Sequence, residues 1–184
     1  MKIGIDVSQL TYRNTGVANY LKHLVKEVVK LDSENEYVLF YSSLRGKLSA
    51  DDIPQESNVR VVKCFFPPTL LDILWNKLHI LPIETFTGPL DVFLSSDWVE
   101  PPVKNAKKVT ILYDLIIYKY PEESHNKTEF KLPNLILSAN IVASQKRKLE
   151  WVKKESSAVL CISEATKKDA EKLLESAGIV VNRN

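Results

Sequence analysis

Short apolar, β-branched runs alternate along this chain with longer stretches of helical periodicity, and that alternation constrains the fold more than any other feature. Residues 2–7, 37–41, 59–66, 91–94, 109–113 and 158–162 read as strands. Residues 17–31 set Val17, Tyr20, Leu21, Leu24, Val25, Val28 and Leu31 on one helical face and Lys22, Lys26, Glu27 and Lys30 on the other. Residues 69–79 have helical spacing after Pro67-Pro68, and residues 128–155 read as one long helix bent near Pro133. Ser163 is placed to cap a last helix that runs to Ala177 and ends at Gly178, and residues 179–181 begin a further strand or a linker. Strand and helix in alternation imply an α/β domain, a Rossmann-like three-layer sandwich whose mostly parallel sheet carries helices on both faces. A chain of 184 residues holds one such core and is too short for two ordinary domains, so residues 1–184 are read as a single domain.

Composition excludes more than it selects. With 45% apolar and 26% charged residues the chain is an ordinary globular one, and a net charge of +2 gives no reason to expect nucleic acid as a partner. Cys64 and Cys161 each lie in an apolar run and read as small core residues in a reducing compartment; neither a disulfide nor a metal site fits their spacing. The opening MKIGIDVSQ meets Asp6 too early for a signal-peptide core, and no run approaches the roughly 20 apolar residues of a spanning helix. The expected location is therefore the cytoplasm, and the Asn126-Lys127-Thr128 sequon is read as accidental. Residues 132–145 are the longest uncharged stretch and read as a buried or interface helix.

In a parallel sheet, ligands bind at the carboxyl ends of the strands, which selects the loops at 8–16, 95–102 and 114–126 and the pair Ser163-Glu164. Thr15-Gly16 opens directly into a helix, whose free amides and partial positive charge suit a phosphate. The competing reading is that Thr15 is only an N-cap and Gly16 only a turn residue. The glycine spacing of a dinucleotide fingerprint is absent, and so is a P-loop. Tyr113-Asp114 ends a buried strand and puts a carboxylate at the crevice; Asp114 as a turn cap is the alternative. Ser163-Glu164 reads either as a third rim element or as a simple capping pair.

Taken in order, the segments Gly4-Ile5-Asp6, Thr15-Gly16-Val17 with Tyr20, Val109-Thr110-Ile111 leading into Tyr113-Asp114-Leu115, Tyr120-Pro121-Glu122, and Cys161-Ile162-Ser163-Glu164-Ala165-Thr166-Lys167-Lys168-Asp169 form a set. That set resembles the N-terminal domain of family-4 glycosyltransferases of the GT-B fold, especially mannosyltransferase-like members from polysaccharide and lipopolysaccharide assembly. The resemblance covers nearly the whole chain. It implies one half of a two-domain enzyme in which a sugar moves from a nucleotide-diphosphate sugar to a glycan or lipid-linked acceptor, with retention at the anomeric carbon. No cofactor and no essential metal are implied.

By the resemblance, Thr15 and Gly16 lie against the donor diphosphate, Ser163 lies near the inter-domain cleft, and the 114–126 loop helps form the acceptor pocket. Tyr113 stands where the family usually has histidine, and with Asp114 it marks the catalytic position. The family's paired glutamates belong to a C-terminal donor-binding domain that this chain lacks, so the chain alone is expected to be inactive. Two alternatives stand beside this reading: a natural half-enzyme with a separate donor-binding subunit, and a non-enzymatic Rossmann-like binding module; if the face formed by residues 132–143 and the 118–120 loop is apolar and exposed, a partner or a homodimer is expected to cover it. A dehydrogenase is disfavoured by the missing glycine fingerprint. Lys146-Arg147-Lys148 and Lys153-Lys154 read as the solvated face of a helix, with peripheral attraction to the inner face of an anionic cell membrane as the lesser alternative.

Overall fold

The computed structural model describes residues 1–96, 98–119, 128–132, 135–139, 141–174 and 177–183, with the backbone alone at 117, 128–132, 135–139, 141 and 183. In chain order the elements are β1 (Lys2–Asp6), α1 (Gly16–Leu31), β2 (Glu36–Ser42), β3 (Val59–Cys64), α2 (Pro68–Leu71), α3 (Glu84–Thr87), β4 (Val92–Ser95), β5 (Lys107–Leu112), α4 (Ile116–Lys119), β6 (Thr128–Leu132), β7 (Leu135–Ala139), α5 (Ile141–Glu155), β8 (Ser156–Cys161), α6 (Glu164–Leu174) and β9 (Val180–Arg183). Seven strands form one sheet in the order β3-β2-β1-β4-β5-β8-β9, and every neighbouring pair in it is parallel. This is the Rossmann-like α/β sheet that the alternating pattern implies. The segment at 179–181 belongs to a seventh strand, β9, paired with β8.

The period of two along β2 shows how the layers arise. Tyr37, Leu39 and Tyr41 join Ile5, Val7 and Ile111 beneath Leu21, Val25 and Val29 of α1. Val38 and Phe40 face the other way, into a cluster with Leu71, Trp75, Ile83 and Phe93. A third cluster gathers Leu149 and Val152 of α5, Val159 and Cys161 of β8, and Ala170 and Leu174 of α6. Both cysteines are free thiols, and burial pushes the Cys161 thiol up to about 11.

Two expected helices are corrected. Residues 69–79 do not continue as an α-helix: after the single turn of α2 the backbone widens into a π-helical segment, Asp72–Lys77, with Leu78 N–H bonded to Ile73 C=O at 2.9 Å. The widened turn buries both Trp75 and Asn76. The long helix expected over 128–155 exists only as α5. Thr128–Leu132 instead pairs with Leu135–Ala139 as an antiparallel two-stranded ribbon, β6 with β7. The local signal for it is present: Glu129 and Lys131 alternate with Phe130 and Leu132, a period of two, ahead of the turn-forming pair Pro133-Asn134. The sequon residues Asn126 and Lys127, and Pro133 itself, lie outside the described residues. Gly178 does take a left-handed conformation, φ 64°, beyond the last helix.

The end of α1 carries a titratable lock. Asp32 accepts hydrogen bonds from the side chains of Asn35 (2.5 Å) and Tyr37 (2.8 Å) and from the amide of Glu34 (3.0 Å). The Asn35 bond, then that of Tyr37, holds the Asp32 carboxyl at about 2. Burial, then the bond to Asp32, pushes Tyr37 up to about 12. A carboxyl whose folded-state pKa is depressed contributes stability that is complete above its ordinary 3.8 and is lost as pH falls toward about 2. Asp32→Asn is therefore expected to flatten the dependence of stability on pH between about 4 and about 2. Denaturant titrations at several pH values check this; an unchanged slope for the variant would rule the lock out.

Candidate functional site

Strand order fixes where a ligand can sit. From β1 the chain proceeds outward through β2 and β3, and from β4 it proceeds the opposite way through β5, β8 and β9. The loops that leave β1 and β4 therefore diverge and open a crevice at the carboxyl ends of the strands. Gln9 of the first loop and Ser96 and Trp98 of the second line it, with Val17 of α1, Ile111, Leu112, Tyr113 and Asp114 at the end of β5, Tyr118 of α4, and Gln145 and Lys148 of α5.

Asp6, at the last position of β1, shapes the first loop. Its carboxylate accepts from the Ser8 amide (2.9 Å) and hydroxyl (2.6 Å), and its carbonyl accepts from the Ser96 hydroxyl of the second loop. Ser8 Oγ in turn accepts from Ser42 N–H at 3.1 Å. Both loops are thereby tied to the sheet edge, so the crevice walls are fixed by buried hydrogen bonds.

The sequence-selected residues fall on this rim in two groups. Tyr113 and Asp114 form part of the crevice wall. The Tyr113 ring meets Tyr20 of α1 edge-on with centroids 5.9 Å apart, and Asp114 Oδ1 accepts from Ile116 N–H at 3.2 Å. Thr15, Gly16 and Ser163 stand beside the crevice rather than in its lining. Thr15 is the N-cap of α1, accepting from Ala18 N–H at 3.1 Å, and helix geometry leaves the amides of Gly16 and Val17 without an intrahelical acceptor. Gly16 is exposed, and a Cβ built there meets nothing within 4 Å. Ser163 Oγ accepts from Thr166 N–H at 3.1 Å, and Thr166 Oγ1 donates to the Tyr113 carbonyl at 3.2 Å. The α1 start, the β5 end and the α6 start are thus neighbours on one edge of the sheet. Of the 114–126 loop, residues 120–126 lie outside the described residues.

Sequence reasoning selected the loops at 8–16 and 95–102 but singled out neither Gln9 nor Trp98. Gln9 is buried, while Trp98 is 53% exposed. A large aromatic in a loop that the carboxyl-end rule had already chosen was the available signal. Lys148 corrects an expectation: it does not belong to a solvated face but is buried against the crevice. Arg147 pairs with Asp72 at 3.3 Å, and of that triplet Lys146 is the exposed one. The reason is the register of α5, which turns position 148 toward the sheet alongside Leu149 and Val152.

Behind the crevice lies a buried polar network that the sequence did not reveal. Glu100 is fully buried and accepts from Ser95 Oγ (3.0 Å) and Thr110 Oγ1 (2.9 Å). Lys108, also fully buried, stands 3.6 Å from Glu100 and 2.6 Å from Glu155. His79 turns Nε2 to Glu155 (2.6 Å) and Nδ1 to the Trp75 carbonyl (2.8 Å), with its ring stacked on Trp151 at 3.6 Å. Burial alone would raise the Glu155 carboxyl, but the hydrogen bonds from His79 and Lys108 outweigh it and hold it below the usual range. Asn76 bonds the Glu100 amide (2.8 Å) and the Trp98 carbonyl (3.2 Å), which connects this network to the crevice wall.

Among the described residues, no group of three or more His, Cys, Asp or Glu gathers in a way that could hold a metal ion. Among them, too, no helix is long and apolar enough to cross a membrane. No family model matches the chain, and no curated protein matches it. Among solved structures, the chain is similar to one described as Phytolacca americana UGT2 complexed with UDP-2fluoro-glucose and pterostilbene, with 10% sequence identity and a TM-score of 0.47. The match covers 99% of this chain and 52% of that one, so the chain spans about half the length of the structure it matches.

Proposed function

We propose that this chain is the acceptor-side half of a sugar-nucleotide glycosyltransferase, one Rossmann-like domain that works against a donor-binding half. The observation that carries the reading is the convergence on one edge of the sheet of the α1 amides, Tyr113-Asp114 and the start of α6, around the crevice where the strand order reverses. In a retaining transfer from a nucleotide-diphosphate sugar, the bond between the anomeric carbon and the diphosphate breaks and negative charge grows on the leaving group. The amides of Gly16 and Val17, at the positive end of the 16-residue helix α1, are oriented to stabilise that charge. Asp114 supplies an exposed carboxylate at the mouth, and Tyr113 lies in the wall beside it. The acceptor is a glycan or a lipid-linked sugar, and the partner half acts in cis or in trans. That half is proposed to supply the charges that neutralise the diphosphate, and the chain alone is expected to turn over no nucleotide sugar.

The test is an amide-resolved titration of the isotopically labelled chain with UDP- and GDP-sugars. The Gly16 and Val17 resonances are expected to move while those of β2 and β3 stay in place. Immobile Gly16 and Val17 at millimolar nucleotide sugar would sink the reading. Robust sugar transfer by the purified chain would overturn its dependence on a second half.

A further inference from the structure

We propose that His79 is a proton-dependent clasp: with both ring nitrogens protonated it ties the end of the π-helical segment to α5, and loss of one proton releases the turn at 78–81. The device does not depend on what the crevice binds. His79 stands between two acceptors. Nδ1 lies 2.8 Å from the Trp75 carbonyl, and Nε2 lies 2.6 Å from Glu155 Oε1. A carbonyl oxygen only accepts, and so does an ionised carboxylate. Burial favours the neutral acid of Glu155, but the bonds from His79 and Lys108 outweigh it and keep the group ionised. Both contacts therefore draw their proton from the ring, and only an imidazolium has two N–H groups. Either neutral tautomer serves one acceptor and sets a lone pair against the other.

Charge points the same way. The charged groups that meet the ring and its partner are Glu155 of α5, Lys108 of β5 at 2.6 Å from Glu155, and Glu100 of the 95–102 loop at 3.6 Å from Lys108. With His79 protonated, the two cations balance the two carboxylates; with it neutral, the cluster is one cation short. Lys154 of α5 stands over the Trp151 ring at 4.6 Å, and Lys77 is exposed.

What the clasp holds is a strained turn. His79 and Leu81 have positive φ, 53° and 61°, a region that non-glycine residues enter at a cost. The side chains of Leu78, Ile80 and Leu81 are exposed, so their burial does little to hold it. Ile80 N–H reaches back to the Leu74 carbonyl at 2.9 Å, and the Trp75 indole to the Leu81 carbonyl at 3.0 Å. The His79 ring, flat on Trp151 at 3.6 Å, adds the tie to α5. Farther along the same seam Arg147 pairs with Asp72 at 3.3 Å, and the Trp151 indole N–H donates to the Asn76 carbonyl at 2.8 Å. Neither bond needs a proton from imidazole, so release stays local to the turn.

The full chain, labelled with nitrogen-15, is followed by NMR from about pH 5 to about pH 9, where histidine exchanges its proton. The acid form is expected to show both His79 ring nitrogens as N–H. As one proton leaves, the Leu78, Ile80 and Leu81 amides are expected to move along the same curve as the His79 ring, while Asp72 and Ser144 stay in place. Protection of the Ile80 amide from hydrogen exchange is expected to fall by about tenfold or more against its intrinsic rate. His79→Phe keeps a flat ring on Trp151 without any N–H, and its turn is expected to be unprotected at every pH. In Glu155→Gln the new amide can donate to Nε2 of the neutral ring while Nδ1–H keeps the Trp75 carbonyl. That variant is expected to hold the turn protected throughout. An acid form with one bare ring nitrogen overturns the clasp. So does a turn whose protection ignores the His79 proton, or one that still responds to pH in His79→Phe.

Discussion

Lys108→Met is expected to lower the free energy of unfolding by about 3–5 kcal/mol, the range for removing one partner of a buried ion pair. Lys108 and Glu100 are both fully buried, and Lys108 also donates to Glu155 at 2.6 Å. Methionine nearly matches lysine in length and volume, so the cavity contribution is small. What changes is that the Glu100 carboxylate keeps its bonds from Ser95 and Thr110 but loses the only cation placed beside it among the described residues. A buried charge without a counter-charge is far costlier than a surface pair is valuable. The measurement is a denaturant titration followed by circular dichroism and by fluorescence. Adding Glu100→Gln to the variant is expected to recover part of the loss, because an amide can hold hydrogen bonds in that place without a compensating charge. A Lys108→Met protein within about 1 kcal/mol of the original would show that the network contributes little. The pH response follows with a definite sign. Glu155 is held below the ordinary carboxylate range, so its contribution is present above that range and is lost as pH falls through the depressed value. Lys108→Met removes one of the two hydrogen bonds responsible, and the acid end of the stability curve is expected to flatten.

Trp75→Ala is the second large effect, also about 3–5 kcal/mol, from lost burial together with the cavity left behind. Trp75 is 1% exposed and packs between Phe40 and Phe86, with ring centroids 5.9 and 6.3 Å away. Its Nε1–H donates to the Leu81 carbonyl at 3.0 Å, and Leu81 has a positive φ of 61°, a conformation that a branched side chain rarely adopts. Alanine therefore removes the filling of the cluster beneath β2 and also one tie on that strained turn. Trp75→Phe separates the two contributions: it keeps most of the ring packing, gives up the N–H, and is expected to cost roughly a third as much. Thermal unfolding of both variants checks the order. Because Asn76 follows directly and bonds the Trp98 carbonyl, the alanine variant is also expected to broaden the Trp98 indole resonance. Equal losses for Phe and Ala would assign the whole effect to the hydrogen bond and contradict the cavity argument.

The local structural roles of several candidate-site positions were legible. Thr15 caps α1 and Ser163 caps α6 through bonds that span three residues, and a cap is written in the few residues around it. Asp114 follows the end of a buried strand, which a run of apolar residues announces. Trp98 was less legible as part of the crevice lining because exposed aromatics also occur in loops that line nothing. The pairing of β6 with β7 was obscured for a different reason. Its alternation spans only a few residues on either side of Pro133, and the helical pattern of α5 that follows absorbs it when the window is wide.

The sequence by itself determined the class of the fold and the rim on which function is proposed. Period-two and period-3.6 patterns are local, and in a parallel sheet the alternation of strand and helix places every strand-to-helix loop on the same edge. Only the tertiary structure decided which side chains distant in sequence pair with one another. Lys108 reaches Glu155 across 47 residues and His79 reaches Glu155 across 76, and no periodicity encodes such a pairing. The same holds for Lys148, whose charge marks it for the surface until the register of α5 turns it inward. Burial of a charge is a property of the assembled layers, because its cost depends on which partners the whole fold brings within reach.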